Sequence, residues 1–420
     1  MTPRVAILME TSLEVSRNML RGIIRYIREH GTWTLDLTPG GIADQRLPDN
    51  WNGNGIIARI PSVKEATRLA AHPAPRVILD PQAAFTDASH PLSACVRLAC
   101  DHDAIGREAA EHFLSRGFRQ FAYLGPVLSS TLQMQYDSTG LQEPNWSVAR
   151  REAFAAHLAA HGFACHVYPQ PRARRLSANW NLEMPHVIRW LQQLPKPVAV
   201  FTPHDARGRQ IADACREAGI PVPYRLAILS VNNDTTLCET SLPPLSSIPL
   251  DAEKAGYRAA KLLDDLMRGR TPTRRHIRYP PLPVVARASS ANTQTDDPLV
   301  IGLLEEIRAT RGFNLRVSEL AAHRNVTART LENRCRKALG RSVGDIVRET
   351  CLANVHALVI NTDKPFAEIA RACGQLSAAH LAAMFLRRYG HTMSAARRSR
   401  RTNSRQSSHS SPGKFHRRSR

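Results

Sequence analysis

The chain has 420 residues, 43% of them hydrophobic and 22% charged, and a formal net charge of +21. That length and apolar fraction fit two or three globular domains of ~100–200 residues each and exclude a collagen-like or wholly disordered chain. No run approaches the ~18 apolar residues of a membrane span, and the eight cysteines contain no CxxC pair, so neither a zinc module nor a disulfide framework is expected and a cytoplasmic setting suits the chain.

The opening MTPRVAILMET sets five apolar residues after one arginine and reads as a strand, too short for a secretion signal. Strand-like apolar runs lie at 5–9, 33–38, 55–60, 76–80, 121–125, 199–202 and 226–231. Helical patterns fall between them, for example at 18–30, 104–115, 150–161 and 206–218, with Gly31, Gly117, Gly162 and Gly219 placed as C-caps. Strands alternating with helices predict parallel sheets. The alternation restarts after about residue 101, which predicts two similar lobes with a cleft between them.

Ligands of open α/β folds sit beyond the carboxyl ends of strands. The polar residues there are Glu10, Thr11 and Ser12, then Asp80, then His204 and Asp205, then Asn232, Asn233 and Asp234. Arg150 opens a helix four residues before Phe154. Residues 289–297 are small and polar and read as a linker.

Past the linker the pattern is purely helical, with helices expected at 298–310, 317–323, 327–339, 343–360, 365–373, 377–388 and near 393. The stretch 317–340 has the pattern of a helix-turn-helix. Leu320, Ala321 and Ala322 supply the small inner face, Asn325 suits a turn of positive φ, and Thr327 is the N-cap of the second helix. Leu331 and Cys335 face inward, leaving Arg329, Glu332, Asn333 and Arg336 for base edges and phosphates. Residues 365–390 repeat the arrangement, with Ile369, Ala370, Leu381 and Phe385 inward, Gly374 in the turn and Ser377 as N-cap. Residues 342–364 form the long helix between the two units. Charge density rises toward this end: residues 397–420 carry nine basic and no acidic residues, a disordered basic tail suited to a polyanion.

Residues 297–396 resemble the AraC/XylS family of transcription regulators. The resemblance is carried by LA at 320–321, Thr327, Leu331, LG at 339–340, NT at 361–362, EIARACG at 368–374, Phe385 and RRYG at 387–390. It implies contact with double-stranded DNA through both recognition helices, here Thr327, Arg329, Glu332, Asn333 and Arg336 in the first, and Ser377, Ala378, Ala379, Ala383, Arg387 and Arg388 in the second. The chain departs from the family pattern at Gln375 and at His380-Leu381, and the outward positions of the second helix are Ala378, Ala379, Ala382 and Ala383. Alanine cannot hydrogen-bond a base, so the first helix is expected to read sequence and the second to anchor through Arg387 and Arg388.

Residues 1–288 resemble the periplasmic-binding-protein-like sensor of LacI-type repressors, and the whole chain resembles the xylose-responsive AraC-type regulators that join such a sensor to the helical module. The matching stretches are 220–234, DARGRQ at 205–210, GYRAAKLL at 256–263 and PPLPVVAR at 280–287. The implied architecture is a two-lobed α/β sensor with parallel sheets followed by an all-α double helix-turn-helix domain. Lobe one would be about 1–100 with 248–278 and lobe two about 101–247 with 279–288, followed by the DNA-binding domain at 298–396 and the tail at 397–420. The resemblance places ligand contacts at Arg150 and Asn232, with Glu10 and Asp205 added from the strand ends, and Trp146 or Trp51 as the ring under a sugar.

The implied effector is xylose or a similar pentose, the implied action activation with RNA polymerase as partner, and the implied assembly a homodimer through lobe one. No cofactor, metal or membrane contact is expected. GxxxxGK, GxGxxG and GxSxG are all lacking, so an enzyme is not expected. The competing reading is an architectural DNA-binding protein whose sensor no longer binds a ligand.

Overall fold

The computed structural model describes residues 2–60, 62–81, 85–126, 143–169, 179–291, 295, 297–374 and 377–398. It divides into two compact units, Met1–Gln294 and Thr295–Arg420. Gln375 and the tail beyond residue 398 lie outside the described residues.

In the first unit, β1 (Arg4–Leu8), β2 (Thr34–Leu37), β3 (Gly55–Ala58), β4 (Arg76–Leu79), β5 (Val96–Cys100) and β11 (His276–Tyr279) form one sheet in the order β11-β5-β4-β3-β1-β2. A second sheet has the order β10-β9-β8-β6-β7, built from β6 (Phe121–Tyr123), β7 (Cys165–Val167), β8 (Val198–Phe201), β9 (Leu226–Asn232) and β10 (Ser246–Pro249). Every paired strand in both sheets is parallel. Helices cover both faces: α1 (Glu14–His30), α2 (Val63–Ala71), α3 (His102–Leu114), α4 (Asn145–Ala160), α5 (Trp180–Gln193), α6 (Asp205–Glu217), α7 (Thr235–Thr240) and α8 (Ala252–Met267). That covering explains why β3 and β8 are buried along their whole length and read as unbroken apolar runs. The expected glycine C-caps all take positive φ, from 64° at Gly219 to 138° at Gly31.

The chain crosses between lobes three times, after β5, after β10 and after β11. The crossings lie side by side, because Asp101 N–H donates to Tyr279 O at 2.9 Å and Asp251 N–H to Pro280 O at 3.4 Å. In lobe two, α6 is fastened to α5 by a fully buried ion pair, Arg207 Nη2 to Glu183 Oε1 at 2.7 Å.

The expected linker starts too early at residue 289. Ser289 and Ser290 are fully buried: Ser289 Oγ donates to Ile228 O at 2.7 Å, and Ser290 Oγ meets Ser246 Oγ and His112 Nε2, each at 2.8 Å. Their hydroxyls bond groups on β9, β10 and α3, so these two serines belong to the body of the first unit. At the far end, Asp297 caps the first helix of the second unit.

That unit comprises α9 (Pro298–Ala309), α10 (Val317–Ala322), α11 (Ala328–Leu339), α12 (Val343–Asn361), α13 (Phe366–Ala372) and α14 (Ala378–Tyr389), and residues 393–398 are helical as well, where a last helix near 393 is expected. The turns use Asn325 at φ 53° and Gly374 at φ 74°. Arg397, expected in the tail, is instead held by the helical body. Its guanidinium donates to Val359 O and Lys364 O at 3.1 and 2.8 Å and lies 4.2 Å over the Phe366 ring.

In lobe one, α1 and α8 approach backbone to backbone. A Cβ on Gly22 would stand 1.9 Å from Glu253 O, and one on Gly256 1.9 Å from Met19 O. Overpacking of this kind costs about 1–3 kcal/mol or more. All five tryptophans lie in the first unit, so their fluorescence reports its unfolding. Gly256→Ala is expected to lower the sensor's Tm by several degrees, whereas Gly41→Ala, with an Asp44 oxygen at 3.6 Å and φ −80°, leaves it in place. Equal melting of the two variants contradicts this packing.

Candidate functional site

In the sensor, chemistry gathers where the strands end. Glu10, just past β1, is buried; one carboxylate oxygen bonds Arg59 Nη1, while Oε2 is buried with no hydrogen-bond partner among the described residues. Arg59, just past β3, also lies 3.9 Å from Asp80 at the end of β4. Asp80 receives Tyr279 O–H at 2.9 Å and Cys100 N–H at 2.9 Å. The Cys100 thiol donates to Tyr279 at 2.8 Å and is pushed up to about 12, by burial first and then by the Asp80 charge.

Lobe two supplies the facing groups. Arg150 on α4 is buried, and its guanidinium lies 5.3 Å over the Trp146 ring. It donates to Pro203 O, and its Nε reaches His102 Nδ1 at 3.4 Å. The Trp146 ring stands 6.1 Å from His204. His102 follows Asp101, which caps α3 by accepting Ala104 N–H at 3.1 Å. Burial and the neighbouring Arg150 charge hold His102 neutral, down to about 4. His204 caps α6 through Nδ1 at 3.2 Å from Arg207 N and is pushed down to about 3 by burial, then by Arg207 and Arg150. The segment Cys100–His102 thus ties the carboxylate cluster of one lobe to the arginine cluster of the other.

Of the expected ligand residues, Glu10 and Arg150 stand in these clusters. Asn232 ends β9 at φ 102° and is half-buried. Asp205 is buried and bonded within lobe two: Oδ1 accepts the Ser230 and Ser247 hydroxyls, the latter at 2.6 Å, and Oδ2 accepts Asp234 N–H at 2.6 Å. Burial raises it to about 6 even so. Trp51 is core, donating to Asp36 at 2.6 Å, which leaves Trp146 as the ring beside the cleft residues. Arg59, Tyr279 and Cys100 escaped sequence reasoning. Arg59 ends an apolar run, the strand ending in Cys100 (VRLAC) is short and interrupted by Arg97, and the strand ending in Tyr279 (HIRY) is polar on alternate residues.

In the helical unit the N-caps stand as expected: Thr327 Oγ1 accepts Thr330 N–H and Ser377 Oγ accepts His380 N–H, both at 3.1 Å. Arg329, Asn333 and Arg336 are exposed on α11, together with Thr330 and Lys337. Glu332 is not a free reader. It is half-buried, accepts Val343 N–H at 3.2 Å and pairs with Arg336 at 3.8 Å, so its carboxylate caps α12. On α14, Ala379, Ala383 and Arg387 are exposed, Ala378 is half-buried against the helical core, and Arg388 is exposed but tied to Glu349 at 3.0 Å. His380, where the chain departs from the family pattern, is a further exposed polar residue on this helix.

The periplasmic binding protein-like domain family matches residues 110–290, and a helix-turn-helix domain family matches residues 320–399. The chain thus joins a periplasmic binding protein-like domain to a helix-turn-helix domain. It is 25% identical over 390 residues to the xylose operon regulatory protein of Escherichia coli K12, covering 93% of this chain and 95% of that one. It is 26% identical over 292 residues to the Haemophilus influenzae protein of the same name, covering 70% and 72%. Its fold matches the solved structure of the xylose-binding transcription activator xylR with a TM-score of 0.75 at 24% identity, over 95% of this chain and 98% of that one. Among the described residues, no helix is long and apolar enough to cross a membrane and no group of side chains is arranged to hold a metal ion.

The buried histidines fix the sensor's response to acid. His102, His112 and His204 sit at about 4, 3 and 3 when folded, all three lowered first by burial, against about 6.5 unfolded. The unfolded chain therefore takes up protons first, and stability falls as pH drops from about 6.5 toward 4. Asp205, raised to about 6, acts with the opposite sign over about pH 4–6. With three groups against one, the tryptophan-monitored Tm is expected to fall between pH 7 and 5, and His112→Gln is expected to shallow that fall. An unchanged slope in the variant contradicts the assignment.

Proposed function

We propose that the regulator is controlled by xylose or a similar pentose bound between the two sensor lobes, and that the bound form activates transcription. The observation that carries the ligand site is the cluster at the strand ends, where a buried Glu10 oxygen lacks a partner among the described residues and Arg150 lies over Trp146. A pentose presents paired hydroxyls that a carboxylate and a guanidinium bridge as acceptor and donor, and an apolar ring face that packs on an indole. The names of the relatives above point to the same sugar.

Lobe closure on the ligand reaches the chain's exit through bonded neighbours. Asn233, next to Asn232, holds Arg287 through Oδ1 at 2.9 Å, and Arg287 N–H donates to Ser246 Oγ at 2.8 Å, the hydroxyl that also meets Ser290. A sugar that favours the closed lobes thereby biases the root of the segment leading to the DNA-binding unit. The same reading takes duplex DNA and RNA polymerase as partners, a homodimer formed through lobe one, no catalytic activity, and the cytoplasm as location. The sensor is 1–290 and the linker lies within 291–296.

Thermal unfolding by tryptophan fluorescence, with D-xylose, L-arabinose, D-ribose and D-glucose in parallel, tests the ligand. Mass action predicts stabilisation of about 2.7 kcal/mol at a hundredfold excess over Kd. A saturable rise is expected with xylose and weaker or no rise with the hexose, and Glu10→Gln is expected to weaken xylose binding about tenfold or more. No shift with any sugar in folded protein supports the architectural alternative instead.

A further inference from the structure

From the recognition helix onward, the two helix-turn-helix units coincide at a constant spacing of fifty residues. Thr327 and Ser377 are N-caps, Leu331 and Leu381 are buried, and so are Cys335 and Phe385. Gly340 and Gly390 end the helices at φ 67° and 72°. Ser342 and Thr392 each accept the N–H three residues on at 3.1 Å. With caps, buried pair and terminator conserved between the units, α14 occupies in its unit the place α11 has in the first.

The difference lies on the exposed face. Arg329, Asn333 and Arg336 on α11 correspond to Ala379, Ala383 and Leu386 on α14, and Thr330 to His380. Ala379, Ala382, Ala383 and Leu386 follow the i, i+3, i+4, i+7 spacing of one helix face. All four are exposed, Leu386 by 46%. Residues 377–398 contain Arg387, Arg388, Arg397 and Arg398 and no acid, a charge balance that suits a polyanion against this apolar stripe. In the DNA major groove the apolar feature offered by the four bases is the thymine 5-methyl group.

We propose that α14 reads a thymine-rich half-site through thymine methyl groups packed against Ala379, Ala382, Ala383 and Leu386, with His380 supplying the hydrogen bond to a base edge. This rests on the DNA-binding reading of the regulator and goes beyond it by assigning a base preference. It also replaces the expectation that the second helix only anchors. Each methyl removed from such a contact weakens binding about 3- to 4-fold, the equivalent of one buried methylene.

The test uses the full chain with xylose to select duplexes from a random library, then resynthesises the selected duplex with deoxyuridine for thymidine at single positions. Deoxyuridine lacks only the 5-methyl group. The expected result is two selected segments, one of which loses about 3- to 4-fold in affinity at each of several thymines, with the losses accumulating. Ala383→Asn, an exposed substitution that restores the amide present at Asn333, is expected to replace one selected thymine by adenine in that segment alone. Arg329→Ala is expected to relax the other segment. Affinity unchanged by deoxyuridine throughout, or a second segment with no base preference, overturns the proposal while leaving a DNA-binding regulator. Selection of no duplex by folded protein overturns the regulator reading and this proposal together.

Discussion

A carboxylate taken out of water must find donors for its oxygens, and an unmet buried group costs about 1–3 kcal/mol. Glu10 meets that demand on one side through Arg59 and leaves Oε2 without a partner among the described residues. Arg150 faces the related problem for a buried cation. It is met in part by Pro203 O, His102 and the Trp146 ring. Parallel sheets bring the ends of their strands to one edge, so the fold delivers these groups to the same place from two lobes. His102 is held neutral there by burial and by the Arg150 charge beside it.

The same demand explains Asp205. Donors from Ser230, Ser247, Asp234 and Cys238 surround it, and together they join the start of α6 to β9, β10 and α7. Ser246, beside Ser247, then binds Arg287 and Ser290. A single polar seam therefore runs from Asp205 at the start of α6 to Ser290. Hydroxyls dominate it, which suits a seam that must stay paired while the lobes shift, since a hydroxyl rotates to its partner.

Much of this was legible from residues alone. The buried strands β1, β3 and β8 and the flanking helices announce themselves by apolar run and period, and the N-caps Thr327 and Ser377 by residue type. The strands β7, β10 and β11 are three or four residues long, lie at sheet edges and are rich in His, Ser, Arg and Pro. Without them Tyr279 could not be placed in the cleft. Asp205 and Glu332 stood at functional-looking positions, but a sequence does not show which donors fold against a carboxylate. In both cases nearby backbone N–H groups, of Asp234 and Val343, claimed it. The glycines at 22 and 256 gave no signal, because close backbone approach has no residue pattern of its own.

The central claim is that ligand binding in the cleft and DNA binding by the helical unit are coupled, and coupling between two binding sites is reciprocal. Its most direct test is the Kd of xylose for the full chain with and without saturating operator DNA, by calorimetry. The account predicts tighter xylose binding on DNA, matched by an equal factor in DNA affinity when xylose is added, and loss of that factor in Arg287→Ala. Xylose affinity that is the same on and off DNA would contradict it.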